Sequence, residues 1–166
     1  MSEEKRSQTE FIAKISPERK KIRELKFDLY VYGSMISENV GGWAFHIINK
    51  QDQSSLLSGT EQNTNEQRIK LFPIIEGIKW IVNNVERKYR KYIQITIHSE
   101  SIFSVNLIKE WIGQWVSEDV LETKPNADML KEIYEYIKQV QISAKCSTKL
   151  VSPYLFSLES LVNKQI

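Results

Sequence analysis

The chain has 166 residues, 41% of them hydrophobic, enough for one domain with a real core and too few for two ordinary domains. Its 23 basic and 21 acidic residues leave a net charge of +2, which excludes a global field demanding a polyanionic partner, so any nucleic-acid contact must come from a local patch. A single cysteine, Cys146, excludes an intramolecular disulfide and a cysteine-based zinc site, while six Gly and four Pro exclude a collagenous or low-complexity chain.

Residues 1–25 form a charged N-terminal extension, and 26–166 form the domain. The opening MSEEKRSQTE lacks the apolar core of a signal peptide, and no apolar run in the chain approaches the roughly 18 residues of a membrane span. An intracellular soluble protein with no membrane partner is expected, nuclear or cytoplasmic being left open. Ser16-Pro17-Glu18 reads as a helix start, with Ser16 as cap and Pro17 at the first helical position. Arg19, Lys20, Lys21 and Arg23 follow as a basic cluster; a solvated extension is the ordinary reading, a phosphate-binding arm or localisation signal the sharper one.

From Phe27 the pattern turns to period two, with Phe27, Leu29 and Val31 on one side and Asp28, Tyr30 and Tyr32 on the other. Two further strands, at Trp43–Ile48 and from Ser54 to Gly59, complete an antiparallel meander. A long helix is predicted over 66–87, its apolar face built by Ile74, Ile75, Ile78, Ile81, Val82 and Val85. Pro73 falls inside it and predicts a kink or local irregularity. A buried strand over 92–98, helices over 101–115 and 127–138, a strand over 140–146 and a closing helix over 153–163 follow. The order specifies an α/β fold with a five-stranded mixed sheet, three antiparallel strands and then two parallel, and helices on both faces.

Local words in that order resemble type 1 ribonuclease H. Val31-Tyr32-Gly33-Ser34 matches the family's first-strand Thr-Asp-Gly-Ser, and Gly41-Gly42-Trp43 its Gly-Gly-aromatic. Thr64-Asn65-Glu66-Gln67-Arg68-Ile69-Lys70-Leu71 matches its first-helix motif. Glu100-Ser101-Ile102-Phe103 followed by Trp111 and Trp115 matches Asp-Ser-x-aromatic and the Trp pair, and Lys124-Pro125-Asn126-Ala127-Asp128 the later Asn turn. The similarity runs from about Phe27 to Val162.

The resemblance implies an RNase H-like fold and cleavage of the RNA strand of an RNA/DNA hybrid by two Mg²⁺ ions. Such ions want hard oxygen ligands, and two of them close together need negative charge, supplied in the family from the first strand, first helix, fourth strand and last helix. Here the matching positions are Tyr32, Lys70, Glu100 and Glu159. Four carboxylates would carry −4, whereas these four side chains carry −1. Coulomb terms of several kcal/mol, even at an effective dielectric of ~20, oppose two divalent ions there. No metal or cofactor is therefore expected, with Lys70 standing in for the cation and pairing with Glu100 and Glu159. Glu66 or Glu76 as an alternative helix ligand stays open, although Glu76 lies six residues from Lys70 and on the opposite side of the helix. The family's Gly-His product-release loop has no counterpart, since residues 147–154 contain no His.

The resemblance also nominates Thr64 and Asn126 for a phosphate pocket, and Phe103 and Trp111 for the DNA-strand channel. Phe103, Trp111 and Trp115 equally suit a stripe that fills or covers the core. Acidic Glu118-Asp119 stands where many family members insert a basic handle. His46 and His98 are too isolated to serve as ligands, and Arg87-Lys88-Tyr89-Arg90-Lys91 is the densest basic patch, by default a solvated loop. The expectation is a catalytically inactive ribonuclease H-like domain, not an enzyme, acting as a protein-interaction scaffold with a protein partner in a nucleic-acid-handling complex. The alternatives are an inactive relative that still binds RNA/DNA hybrid or duplex, and a divergent active ribonuclease H.

Overall fold

The computed structural model describes residues 25–148 and 153–164. The helix start at Ser16-Pro17 and the basic cluster Arg19–Arg23 lie outside the described residues. The domain takes in Leu25, whose side chain is buried and whose carbonyl accepts a hydrogen bond from Gln94 N at 2.9 Å.

Strands β1 (Lys26–Met35), β2 (Val40–Asn49) and β3 (Ser54–Gln62) form the expected antiparallel meander. Its second turn is pinned by Asn49, whose Oδ1 accepts from Gln51 N and Gln53 N, both at 3.0 Å. β4 (Gln94–Ser99) runs parallel to β1, and β5 (Gln141–Cys146) parallel to β4, giving the order β3-β2-β1-β4-β5. A parallel neighbour cannot be reached by a tight hairpin, so the chain crosses over through helix α1 (Glu66–Asn83). The crossover puts β1 and β4 side by side and points their C-terminal ends the same way.

α1 starts where Asn65 Oδ1 accepts from Gln67 N and Arg68 N at 3.1 and 3.0 Å. Ile74, Ile78 and Ile81 are fully buried in one core with Leu29, Val31 and Ile97 of the sheet. The helix runs unbroken through Pro73, and the proline ring is itself part of the buried face. After β4 come α2 (Ile102–Asn106), a wide turn over Leu107–Trp111 closed by Ile112 N–H on the Leu107 carbonyl, and α3 (Ile112–Ser117). The predicted single helix thus contains a π-type turn. α4 (Ala127–Gln139) packs beside α1 on the same side of the sheet, and α5 (Pro153–Asn163) covers the other side. The main core lies between the sheet and α1–α4; a smaller one, Ala44, Leu155, Leu158 and Val162, lies under α5. No helix among the described residues is long and apolar enough to cross a membrane.

Two contacts hold α1 in place over β1 and beside α4. Gly33 on β1 passes so close to α1 that an added Cβ would strike the Ile69 carbonyl group, its carbon at 2.7 Å. Arg68 grips Asp128 with both terminal nitrogens, at 3.0 and 2.8 Å, and so joins the first turns of α1 and α4. That guanidinium holds the Asp128 carboxyl down at about 2.

Gly33→Ala is expected to destabilise the domain by about 1–3 kcal/mol, because helix backbone yields less readily than a side chain. Urea unfolding midpoints check this, and an unchanged midpoint removes the close-approach account. The folded-state pKa of Asp128 lies below its ordinary value of 3.8, so its stabilisation is present above about pH 4 and is lost as pH falls toward 2. Being exposed, the pair is worth about 0.2–1 kcal/mol at neutral pH. Thermal melts should show Asp128→Asn less stable than wild type at pH 6, with the gap closing by pH 2; a gap that persists there would sink the ion-pair explanation.

Candidate active site

The first turns of α1 lie across the side-by-side ends of β1 and β4, leaving a cleft of about 240 Å³. Tyr32, Ser34, Glu66, Lys70, Ser99 and Glu100 are among the residues that line it. Glu100 is presented by a serine-braced turn: Ser101 N donates to Ser99 Oγ at 3.0 Å, and Ser101 Oγ accepts from Ser104 N at 3.1 Å, capping α2. The turn shapes where β4 hands over to α2, with Glu100 between the two elements.

Three of the four positions singled out from the sequence meet here: Tyr32, Lys70 and Glu100. Glu159, on α5, is not among the residues lining the cleft. Lys70 Nζ sits 2.9 Å from Glu66 Oε1, one helical turn earlier. The acid that holds Lys70 is thus Glu66, where Glu100 and Glu159 were expected, because an i,i+4 partner on the same helix needs no tertiary reach. Glu76 leaves the question entirely, since it pairs with Lys79 at 3.1 Å beside Glu132 of α4. Tyr32 belongs to the β1 side chains that face α5, and it packs against the small core there.

The cleft therefore offers two carboxylates, Glu66 and Glu100, with neighbouring serine hydroxyls and an ammonium bound to one of the acids. Among the described residues, no three Asp, Glu, His or Cys side chains come together as a cage. That donor set does not fit a pair of divalent ions. It does fit one hydrated Mg²⁺, which ordinarily keeps most of its waters and takes one or two carboxylates plus substrate phosphate.

Next to the cleft, a groove of about 260 Å³ runs between α1, α2 and the turn before α4, lined by Gln67, Leu71, Phe103, Trp115, Lys124 and Asn126 among others. Phe103 meets Trp111 edge-on with ring centroids 5.4 Å apart, and Trp111 stacks with Trp115 at 6.1 Å. Lys124 Nζ lies 4.7 Å over the Trp115 ring. Phe103 is 36% exposed and the two tryptophans are half-buried, so the stripe both covers the core and presents ring faces outward. Asn126 adopts the left-handed conformation, φ 62°, just before α4. Its Oδ1 accepts from Arg68 Nη1 at 3.2 Å and its Nδ2 donates to Gln67 Oε1 at 3.4 Å. Thr64, the expected companion of Asn126, does not line the groove; its backbone N–H donates to the Asn39 carbonyl at 3.2 Å.

Gln67, Arg68 and Lys124 carry no nomination from the sequence. Arg68 stands within the first-helix motif, but its contacts with Asn126 and Asp128 span 58 and 60 residues and leave no local signal. The two histidines lie apart from the cleft on the α5 face. His98 bonds Asp28 at 2.8 Å, and His46 sits edge-on to Tyr154, its pKa lowered by burial.

No protein-family profile matches the chain. Ribonuclease H of Campylobacter jejuni subsp. jejuni is 30% identical over 118 residues, 70% of this chain and 74% of that protein. In structure, the chain is similar to the protease-reverse transcriptase of prototype foamy virus (TM-score 0.65, 13% identity), covering 83% of this chain and 20% of that one. It is similar also to LC11-RNase H1, solved in complex with an RNA/DNA hybrid (TM-score 0.56, 9% identity), covering 84% of this chain and 98% of that one. The relatives overturn the expectation of a chain that is not an enzyme, for they bear an enzyme's name at 30% identity. The physical ground of that expectation also weakens, because the Lys70 ammonium is bound along its own helix by Glu66. The five-stranded sheet, the cleft at the ends of β1 and β4, and the Campylobacter relative together place this chain in the ribonuclease H family.

Proposed function

We propose that the chain is a divergent ribonuclease H that lays an RNA/DNA hybrid along the groove between Phe103 and Asn126, with Trp111 beside it in the aromatic row, and hydrolyses the RNA strand at the Glu66–Glu100 cleft. This reading replaces the scaffolding role expected from charge alone. The observation that carries it is that the same two helix starts supply walls to both groove and cleft. Glu66 and Gln67 are successive residues of α1, one lining the cleft and the other the groove, and Ser101 and Phe103 stand in a similar relation at the start of α2.

Each side chain has a task that follows from its chemistry. Phe103 and Trp111 offer ring faces and edges to sugars and bases. Asn126 and Arg68 bring amide and guanidinium N–H donors to a phosphate, contacts that set register without reading sequence. Lys124 adds a positive charge where the family's basic handle is missing. Within the cleft, Glu66 and Glu100 are the side chains that would hold a hydrated divalent ion. Such an ion supplies polarisation of a phosphoryl oxygen and a more acidic water. Lys70 sets a compact positive charge against the phosphodiester as its hold on Glu66 loosens.

A labelled RNA strand annealed to DNA, incubated with Mg²⁺ or Mn²⁺, is expected to yield RNA fragments, with Glu100→Gln and Glu66→Gln slower by at least about 100-fold, the scale of removing one charge-stabilising group. Binding of the hybrid without cleavage in either ion overturns the hydrolytic part. Trp111→Ala is expected to weaken hybrid binding by about 1–3 kcal/mol, the value of one stacked base. A gel shift unchanged by that substitution removes the aromatic row from the reading. Lys70→Glu should tighten Mg²⁺ binding by about ten-fold or more in calorimetry, since it exchanges a repelling charge for a ligand. Equal affinities for wild type and variant would place the ion elsewhere.

A further inference from the structure

The opposite end of the sheet carries a feature that the cleft and groove do not use. Between α1 and β4, residues Arg87–Tyr92 form a tight 3-10 turn with four cations in six residues. Lys26 joins them at the start of β1, directly opposite Gln94 in the parallel register. Lys50 follows Asn49, which pairs with Phe27, and so lies at the same end. Among the described residues, Arg87–Lys91 is the densest run of positive residues in a chain of nearly balanced charge.

The turn has a fixed frame. Tyr89 N donates to the Glu86 carbonyl at 2.9 Å, Ile93 N to the Arg90 carbonyl at 3.1 Å, and Arg90 Nε to the Val85 carbonyl at 3.4 Å. Tyr89 packs on the main core, while Arg87, Lys88, Lys91 and Tyr92 are exposed. Lys88 Nζ rides 5.1 Å over the Tyr89 ring, and Lys91 Nζ 5.3 Å over the Tyr92 ring. Elsewhere on the surface five cations are neutralised: Arg68, Lys70, Lys79, Lys131 and Lys138 each hold a carboxylate. Among the described residues, none of the side chains at this end forms such an ion pair, although Glu86 and Asp52 are close by in sequence. Cations left in water on a rigid platform keep their full attraction for a polyanion, because no internal pair has to be broken first.

We propose that this platform, Arg87, Lys88 and Lys91 with Lys26 and Lys50, is a second nucleic-acid contact that holds the phosphate backbone of a duplex without regard to sequence. It lies the length of β4 from the cleft, roughly 20 Å at about 3.3 Å per residue. It therefore acts whether or not the cleft cuts, and a plain DNA duplex is a sufficient probe.

Fluorescence anisotropy with a DNA duplex of about 16 base pairs, across a KCl series, tests it on the full chain. The triple variant R87Q/K88Q/K91Q changes only exposed side chains, and its thermal melt should match wild type. Its plot of log affinity against log salt should be shallower by about 2–3, at about 0.9 for each phosphate no longer neutralised. K26Q/K50Q should flatten the same plot further, by about one or two. A triple variant that melts like wild type and keeps the wild-type slope overturns the proposal, as does wild-type protein that shows no duplex binding at low salt. Binding to phosphatidylserine vesicles in the absence of any duplex binding also overturns it, in favour of a membrane surface.

Discussion

The backbone of α1 lies almost against the backbone of β1, and most of what the domain does depends on that approach. Gly33 leaves room for the Ile69 carbonyl, Gly41 for the Ile69 side chain and Gly77 for Leu29. A side chain at the first of these would lift the helix off the strand. Because α1 lies low, its first turn overhangs the ends of β1 and β4 and brings Glu66 and Lys70 to Glu100. The same turn carries Gln67 and Arg68 to Asn126 and Asp128, so one seating makes both the cleft and the wall of the groove. Function here rests on the absence of three side chains as much as on the presence of any.

Electrostatically the molecule is divided. On the groove side its cations are held by acids or laid on rings, and the cleft contains an internal neutral pair, Lys70 with Glu66, next to Glu100. Such a pair screens the pocket in the resting protein and gives way when a phosphate competes for the ammonium or a cation for the carboxylate. At the far end of the sheet Lys88 and Lys91 also lie on rings, but among the described residues no acid holds the cations there. The two ends thus differ in what binding must displace: ion-pair contacts at one, only counterions at the other.

The fold is legible in the sequence because its signals are local and periodic. Alternation of Phe27, Leu29 and Val31 marks β1, and three-and-four spacing of Ile74, Ile78 and Ile81 marks the face of α1. Pro73 is read correctly as lying inside the helix, but its place on the buried face is not legible, since periodicity does not say that a proline ring is wanted in the core. Site legibility is uneven for a related reason. Tyr32, Lys70 and Glu100 come together as their motifs require, yet the partner of Lys70 lies one turn away at Glu66 and not across the fold. Conversely, Arg68 to Asp128 is a contact between two motifs, and nothing in either names the other. A count of formal charges at four aligned positions argues for inactivity, but it is a measure blind to where each charge is tied.

The wide turn at Leu107–Trp111 shows how helical phase governs the aromatic ridge. Residues eight apart on a regular α-helix diverge by about 80°, so Phe103 and Trp111 would point in different directions. A turn closed on the fifth residue under-rotates the chain and lets the two rings meet at 5.4 Å, with Trp115 continuing the row. Deleting one residue from that turn would restore regular pitch and leave Phe103 and Trp111 seven apart, only about 20° out of line, whereas winding all eight residues as regular α-helix would turn them about 80° apart. The ridge is set by winding number: the extra residue between Phe103 and Trp111 is tolerated only because the wide turn absorbs it.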